Sequence, residues 1–182
     1  MTSSYTRSIT YLDLFSSIVF IKNPTYIVEF GILNGHSLKT FVDNADETCK
    51  IEAFDIFDEF NGNHARNDIL EKFSEYKNVN IGYGDFYNKH EDFHDNSIDI
   101  MHVDIANNGD TYEFCIDRYL SKIVEDGILI LEGGSVERDN IEWMIKYNKR
   151  SITQYLKELE RNRKDLEVKI IGCIPSITII KK

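Results

Sequence analysis

Short runs rich in β-branched residues alternate with longer segments of helical spacing along most of the chain. The runs cover residues 26–30, 50–55, 79–82, 98–104, 127–131, 168–173 and 176–180. Between them, apolar side chains recur every three or four residues, as at positions 69, 73 and 76, and at 114, 116, 119, 120 and 123. Continuous apolar strands separated by helices are typical of a parallel sheet that helices cover on both faces, with right-handed crossovers.

The last two runs break this alternation, because only Ile174 and Pro175 separate them. A crossover between parallel strands needs about a dozen residues, so the final strand must run antiparallel to its neighbour. The pattern therefore predicts an α/β fold: a Rossmann-like three-layer αβα sandwich. Its mostly parallel, seven-stranded sheet ends in a C-terminal antiparallel hairpin.

Length and composition restrict the kinds of protein to which this chain can belong. A chain of 182 residues suits a single domain, which we expect to span residues 1–182 and to begin with a helical segment at 1–24. With 31 acidic against 21 basic residues, we expect no nucleic-acid partner, since binding to a phosphate backbone requires a basic surface. Three scattered cysteines without a C-x-x-C pair indicate a reducing compartment. The apolar run 14–21 is too short to cross a bilayer, so we predict a cytoplasmic protein without a membrane partner.

A glycine-containing turn follows the first strand, in the sequence Val-Glu-Phe-Gly-Ile-Leu-Asn-Gly-His-Ser at 28–37. Gly31 and Gly35 allow a tight turn into a helix and let a ligand approach bare backbone. Glu29 would repel a pyrophosphate and attract an ammonium group, although a strand-end carboxylate bonded to backbone is the alternative. We expect Ser37 to cap the helix that follows.

Acidic residues also stand where the second and third strands end. Asp55 lies about 20 residues beyond the glycine turn, where a ribose diol is usually held, with Ile56 beside it. Asp85 is placed to accept a hydrogen bond from an adenine amino group, with Phe86 near the ring. Alternatively, Gly84-Asp85 is an ordinary turn pair.

The fourth and fifth strands bring two further carboxylates to the same edge of the predicted sheet. Asp104 and Glu132 follow these strands, and together they are able to hold a divalent cation such as magnesium or to act as acid and base. The alternative is that helix N-termini and water satisfy both. His36 and His102 are the histidines best placed for proton transfer, and His102 shares the strand parity of Asp104.

These motifs together resemble the class I S-adenosylmethionine-dependent methyltransferases. More narrowly, they are similar to macrocin-type sugar O-methyltransferases and related small-molecule enzymes. The matching segments are 28–37 (V-E-x-G then G-x-S), 54–58 (F-D-x-F-E), 84–86, 100–104, 112–113 and 126–127 (I-H-I-D, Y-E and G-G). The terminal hairpin agrees with this resemblance, whereas nicotinamide-dependent dehydrogenases normally keep the sheet parallel there.

The resemblance implies S-adenosylmethionine as cofactor and gives roles to individual residues. Glu29, Gly31, Gly35 and Ser37 would border its methionine part, Asp55 its ribose, Asp85 its adenine, and Asp104 its sulfonium. Metal-dependent relatives carry adjacent aspartates after the fifth strand, where this chain has Glu132-Gly133. The family's histidine before the Y-E pair is absent, and residues 106–109 lengthen that loop. Whether the reaction needs a metal therefore stays open. The identity of the base stays open as well, and Asp104 and His36 are the candidates. Glu132 would orient the acceptor, either directly or through a cation.

The expected function is methyl transfer to a hydroxyl of a small neutral or cationic molecule, a sugar or sugar-like metabolite. The alternatives are a non-catalytic cofactor-binding subunit and a dinucleotide or nucleotide-sugar enzyme on the same sheet. Arg138, Trp143 and Tyr147 are candidates for one wall of the acceptor pocket, although Trp143 suits the core equally well. Because so short a chain leaves little to enclose an acceptor, we expect a homodimer.

Overall fold

The predicted sheet is present, and its strands occur in the predicted order. This computed structural model describes residues 10–57 and 66–182, and within them seven strands form one sheet. The strands are β1 (Tyr26–Phe30), β2 (Lys50–Asp55), β3 (Val79–Tyr83), β4 (Ile98–Val103), β5 (Ile123–Glu132), β6 (Glu167–Gly172) and β7 (Ser176–Lys181). Their spatial order is β3-β2-β1-β4-β5-β7-β6. The first five strands are parallel and β7 is antiparallel to both β5 and β6, which confirms the fold class and its terminal hairpin.

Helices cover both faces of the sheet. They are α1 (Tyr11–Lys22), α2 (His36–Asn44), α3 (Arg66–Lys72), α4 (Phe86–Lys89), α5 (Gly109–Tyr119), α6 (Val136–Asp139), α7 (Glu142–Lys146) and α8 (Ile152–Asn162). Side chains alternate along each strand, so Ile100 belongs to the buried cluster that contains residues of α1, α2 and α3, whereas Met101 belongs to the cluster that contains residues of α4, α5 and α8. The sandwich therefore has the three layers predicted.

The N-terminal helix agrees with the predicted helical segment over the part that the structure describes. Thr10 and Asp13 form a reciprocal capping box, and Asn23 ends the helix in the left-handed conformation. Residues 1–9 lie outside the described residues, as does Asp58 of the matched 54–58 segment. None of the described helices is long and apolar enough to cross a membrane.

One helical assignment was wrong. Ile123 continues the apolar spacing of α5, but α5 ends at Tyr119, a 3-10 turn covers Leu120–Lys122, and β5 begins at Ile123. Ile123 is fully buried and pairs with Ile98 of β4. An apolar residue at the next helical position looks the same in sequence whether it continues a helix or starts a strand, and here tertiary packing decides.

Backbone hydrogen bonds continue beyond the carboxyl ends of the strands and draw the following loops together. Gly31 N–H donates to the Phe54 carbonyl at 2.9 Å, and Asp104 N–H donates to the Phe30 carbonyl at 2.8 Å. The loops after β1, β2 and β4 are thereby held side by side, at the edge of the sheet where open α/β sheets bind ligands.

Candidate functional site

A cavity of about 400 Å³ opens at this edge of the sheet. Most of the predicted site residues line it: Gly31, His36, Ser37, Asp55, Ile56, Asp85, Phe86 and Asp104. Glu29, Gly35 and Glu132 do not. The volume lies within the range of about 300–1,000 Å³ that is usual for small-molecule and cofactor sites.

The glycine turn is shaped by close backbone approach. Gly31 has φ +89°, and a Cβ placed there would lie 1.9 Å from the Asp104 carbonyl oxygen. Gly35 has φ +70° and is the N-cap of α2, where a Cβ would lie 2.7 Å from the Phe73 ring. Both glycines are therefore required by the positive φ and by the close approach of neighbouring atoms, and of the two only Gly31 lines the cavity.

Asp55 ties this turn to the end of β2. Its Oδ2 accepts from Ile32 N–H at 2.6 Å and from Leu33 N–H at 3.3 Å, and its Oδ1 accepts from Phe57 N–H at 2.8 Å. The residue is only 7% exposed, yet it lines the cavity. A single carboxylate thus fixes the loop and faces the space where a ligand would bind.

Asp85 and Phe86 combine a structural role with a place on the cavity wall. Asp85 is the N-cap of α4, and its two oxygens accept from Tyr87 N–H at 3.0 Å and from the Asn88 side chain at 2.9 Å. Phe86 is buried and its ring stacks on Tyr119, with centroids 4.9 Å apart. Asp85 therefore acts as a helix cap in this structure, and its adenine role stays a prediction.

Glu29, Ser37 and His102 form a buried network behind the glycine turn. Ser37 Oγ donates to Glu29 Oε1 at 2.5 Å, and His102 Nδ1 is hydrogen-bonded to the same oxygen at 2.8 Å. Ser37 does not cap α2 as expected, because Gly35 already forms the N-cap and the hydroxyl turns to Glu29. Glu29 is fully buried, and its Oε2 has no hydrogen-bond partner among the described residues.

His102 is not placed for proton transfer to an acceptor. It is 2% exposed and packs against the rings of Phe15 and Phe41, with centroids 5.1 and 5.6 Å away. Its strand parity was predicted correctly, but α1 and α2 cover that face of the sheet. His36, by contrast, is exposed at the start of α2, and Asp104 is exposed directly after β4.

Glu132 forms a bidentate ion pair with Arg138. Arg138 Nε and Nη2 donate to Glu132 Oε1 and Oε2 at 2.5 and 2.8 Å. Burial raises the pKa of Glu132, and the hydrogen bonds from Arg138 oppose this without cancelling it. The Trp143 ring lies 5.3 Å from the guanidinium carbon, whereas Tyr147 is 60% exposed. None of these four residues lines the cavity, so the predicted acceptor wall at Arg138, Trp143 and Tyr147 is not part of it.

The Asp104–Glu132 pair does not fit a divalent cation. Both oxygens of Glu132 are engaged by a guanidinium, whose positive charge opposes a second cation at the same carboxylate. Within residues 10–57 and 66–182, no group of three or more His, Cys, Asp and Glu side chains is arranged to hold a metal ion.

The charge of the cavity distinguishes between classes of ligand. Asp55, Asp85 and Asp104 line it, and no Lys or Arg is among the described residues that do so. A pyrophosphate favours positive charge and helix N-termini, whereas carboxylates favour a cationic ligand. The arrangement therefore suits a cationic cofactor better than a dinucleotide.

Comparison with known proteins identifies the fold. No protein-family model matches the sequence, and a search of the curated proteins gives no significant match. Among solved structures, the chain is similar to the O-methyltransferase TomG from Streptomyces achromogenes in complex with S-adenosylmethionine, with a TM-score of 0.70, 14% identity, and 96% and 81% of the two chains covered. For an O-methyltransferase from Bacillus cereus in complex with S-adenosylhomocysteine, the TM-score is 0.68 and the identity 14%, with 99% of this chain and 84% of the other covered. For a Podospora anserina methyltransferase bound to S-adenosylhomocysteine, the TM-score is 0.67 and the identity 15%, with 96% of this chain and 79% of the other covered.

The fold is that of the class I S-adenosylmethionine-dependent methyltransferases. The narrower resemblance to macrocin-type enzymes stays a prediction. Within this fold the cavity also has wall residues that are not among the predicted site residues: Phe30, Ile32, Leu33, Asn34, Phe54, Gly84, Tyr87, Ile105 and Ala106. Each of them lies within two residues of a predicted site residue. Their position in the same segments is therefore the sequence feature from which they could have been predicted.

Proposed function

We propose that this chain is an S-adenosylmethionine-dependent methyltransferase that acts on a hydroxyl of a small molecule. The observation that carries the proposal is the acidic, glycine-walled cavity at the carboxyl ends of the parallel strands. A methylsulfonium cofactor is cationic, and such a wall attracts it without a basic residue. The presence of the same cofactor or its product in similar structures supports the assignment.

Each part of this cofactor has a candidate partner in the cavity wall. Asp55, at the end of β2, would bind the ribose hydroxyls, and Gly31 would border the methionine part, since both line the cavity. Ser37, whose hydroxyl donates to Glu29, also lines the cavity and would border the methionine part, and Asp85 with Phe86 would border the adenine. When bound, the cofactor supplies an already activated methyl group, so the chain mainly has to position the reactants and exclude water.

The acceptor hydroxyl must lose its proton as it attacks, which requires a base within hydrogen-bond reach. Asp104 and His36 both line the cavity and are both exposed, so either is accessible to an acceptor. His102 has no such access because it is buried against Phe15 and Phe41. We propose Asp104 or His36 as the base.

The acceptor that we propose is neutral or cationic, in the class of sugars and sugar-like metabolites. A negatively charged acceptor would be repelled by the acidic cavity and by a net charge of −10. The homodimer and the cytoplasmic location remain predictions, and sedimentation of the purified chain tests the first.

The longer loop at residues 106–109 contains Asn107, and the contacts of this residue do not favour a non-catalytic binding subunit. Asn107 is fully buried, and its side-chain amide donates to the Val103 and Glu132 carbonyls at 2.9 Å each. A loop-fixing role therefore explains this residue without a loss of catalysis.

Calorimetry with S-adenosylhomocysteine and with NAD tests the cofactor class, in parallel samples containing magnesium or EDTA. We expect binding of S-adenosylhomocysteine and none of NAD. A folded sample that binds neither, or only NAD, would overturn the proposal. Mass-spectrometric screening of hydroxylated acceptors then tests methyl transfer, and cofactor binding without any methylated product would favour the non-catalytic alternative.

A further inference from the structure

We propose that Arg138 is a positioning residue whose guanidinium pairs with Glu132 where a divalent cation would otherwise bind, so that methyl transfer by this chain needs no metal. The inference rests on the proposed function. It concerns the end of β5, where Glu132 was one of two carboxylates considered as ligands of a cation and where the structure has a guanidinium.

The ion pair satisfies the carboxylate that a metal would need. Arg138 donates from Nε and Nη2 to the two oxygens of Glu132, in the bidentate geometry that makes guanidinium–carboxylate pairs strong and specific. Arg138 is 6% exposed, and the Glu132 side chain is 18% exposed. In such a partly dry environment, solvent screens the pair less than it would at the surface.

A divalent cation at Glu132 would have to displace this guanidinium. Magnesium binds carboxylate oxygens at about 2.0–2.1 Å, which would place it close to the nitrogens that already donate to them. The two positive charges would repel each other, because a guanidinium stays protonated at any ordinary pH. The Arg138 guanidinium and a divalent metal ion therefore cannot bind Glu132 at the same time.

Arg138 also performs the mechanical part of a cation's task, which is to hold two loops together. Its Nη2 donates to the Asn107 carbonyl at 3.3 Å, while the Asn107 side chain bonds to the Val103 and Glu132 carbonyls. Asp104 lies between Val103 and Asn107, in the segment that these bonds fix. The guanidinium thus joins the end of β5 to the loop that places Asp104 in the cavity.

The other side of the guanidinium is closed by an aromatic ring. The Trp143 ring lies 5.3 Å from the guanidinium carbon, a distance at which cation–π attraction operates. Helix α6 is capped by Ser135, whose Oγ accepts from Arg138 N–H at 3.0 Å, so the backbone of Arg138 is fixed as well. The Arg138 guanidinium is therefore held in place both by contacts at the guanidinium itself and by the fixed backbone of this residue.

Electron paramagnetic resonance of Mn²⁺ tests the proposal without any need for turnover. We expect the wild-type chain to leave the free Mn²⁺ signal unchanged, and Arg138→Gln to gain a bound ion that the double variant with Glu132→Gln loses. Arg150→Gln is the matched control, because Arg150 pairs with Glu113 and Glu158 away from the cavity. A merely structural role of Arg138 would not produce a new metal site.

The result that would overturn the proposal is Mn²⁺ binding by the wild-type chain that Glu132→Gln abolishes. A folded Arg138→Gln chain that gains no Mn²⁺ would equally contradict it. Should Arg138→Gln fail to fold, the wild-type chain and Glu132→Gln alone still decide the question. Failure of the proposed function is distinguishable, because it appears as absent S-adenosylhomocysteine binding in calorimetry, whatever the Mn²⁺ signal shows.

Discussion

Asp55 has two tasks that different substitutions separate. It holds the glycine turn through Ile32 and Leu33, and it faces the cavity. Asp55→Asn keeps an acceptor oxygen but removes the charge, so we expect S-adenosylhomocysteine affinity to fall about 10- to 100-fold, from the roughly 1.5–3 kcal/mol of a charged hydrogen bond. Asp55→Ala should in addition lower the melting temperature. Asp99→Asn is the control, since Asp99 accepts from Thr25 and Tyr26 N–H at the opposite edge of the sheet, and calorimetry should show unchanged affinity.

Gly31 should tolerate no side chain. Its φ of +89° and the 1.9 Å approach of a Cβ to the Asp104 carbonyl both oppose alanine. We expect Gly31→Ala to lower the free energy of unfolding by at least about 1–3 kcal/mol, the usual cost of such strain, and to abolish cofactor binding. Gly82→Ala is the comparison, because its Cβ would lie 3.3 Å from the Phe54 ring without a positive φ. Equal losses in urea titrations of the two variants would contradict the argument.

The sequence predicted those individual residues whose position follows from strand order alone. Asp55 and Asp104 end parallel strands, and such strands end at one edge of the sheet, so both were placed correctly on the cavity wall. Ser37 and His102 depend instead on Glu29, which is 8 and 73 residues away along the chain. Spacing does not show which buried carboxylate a hydroxyl or an imidazole will meet, so the predicted cap was wrong and the burial of His102 could not be read from the sequence.

Helix α8 depends on a carboxylate outside it. Asp139 accepts from Ile152 and Thr153 N–H at 2.7 and 3.0 Å and from the Ser151 hydroxyl at 2.6 Å. Burial opposes ionisation, but these hydrogen bonds outweigh it and lower the pKa of Asp139. Since its folded pKa lies below the unfolded value of about 3.9, the stabilisation is complete above that pH and is lost as pH falls through the folded pKa.

Asp139→Asn should therefore be less stable than the wild-type chain at pH 7, by about 0.5–2 kcal/mol as for other lost caps. The difference should shrink when both are unfolded in urea near pH 3 or below. Glu137→Gln, exposed on the same short helix, is the control and should match the wild-type chain at both pH values. A difference for Asp139→Asn that is independent of pH would exclude the ionised carboxylate as its cause.

Among the elements, those defined by local sequence were predicted and those defined by packing were not. The hairpin of β6 and β7 follows from the two residues between its predicted strands, since no parallel crossover is that short. The start of β5 at Ile123 and the turn of α6 that brings Arg138 to Glu132 depend on contacts made after folding. A helix as short as α6 has too few residues for its apolar spacing to predict the direction in which a side chain points.

At the scale of the whole molecule, net charge should make binding depend on the charge of the ligand. The chain carries −10, and carboxylates line its cavity. S-adenosylmethionine has one net positive charge at neutral pH, whereas S-adenosylhomocysteine has none. Added salt shortens the Debye length from about 10 Å at 0.1 M to about 3 Å at 1 M. It therefore weakens the long-range attraction between the acidic chain and the cationic S-adenosylmethionine, but not the binding of the neutral S-adenosylhomocysteine.

We therefore expect the dissociation constant of S-adenosylmethionine to rise about 3- to 10-fold between low salt and 0.5 M sodium chloride, from screening of this field. That of S-adenosylhomocysteine should change by less than about twofold, because its net charge is zero. Calorimetric titrations of both ligands at matched pH measure the two slopes, with potassium chloride as a check on ion-specific effects. Equal slopes would mean that local contacts alone select the cofactor. A rise in NAD affinity with salt would show instead that the acidic cavity acts by repelling phosphate, since screening then removes a barrier rather than an attraction.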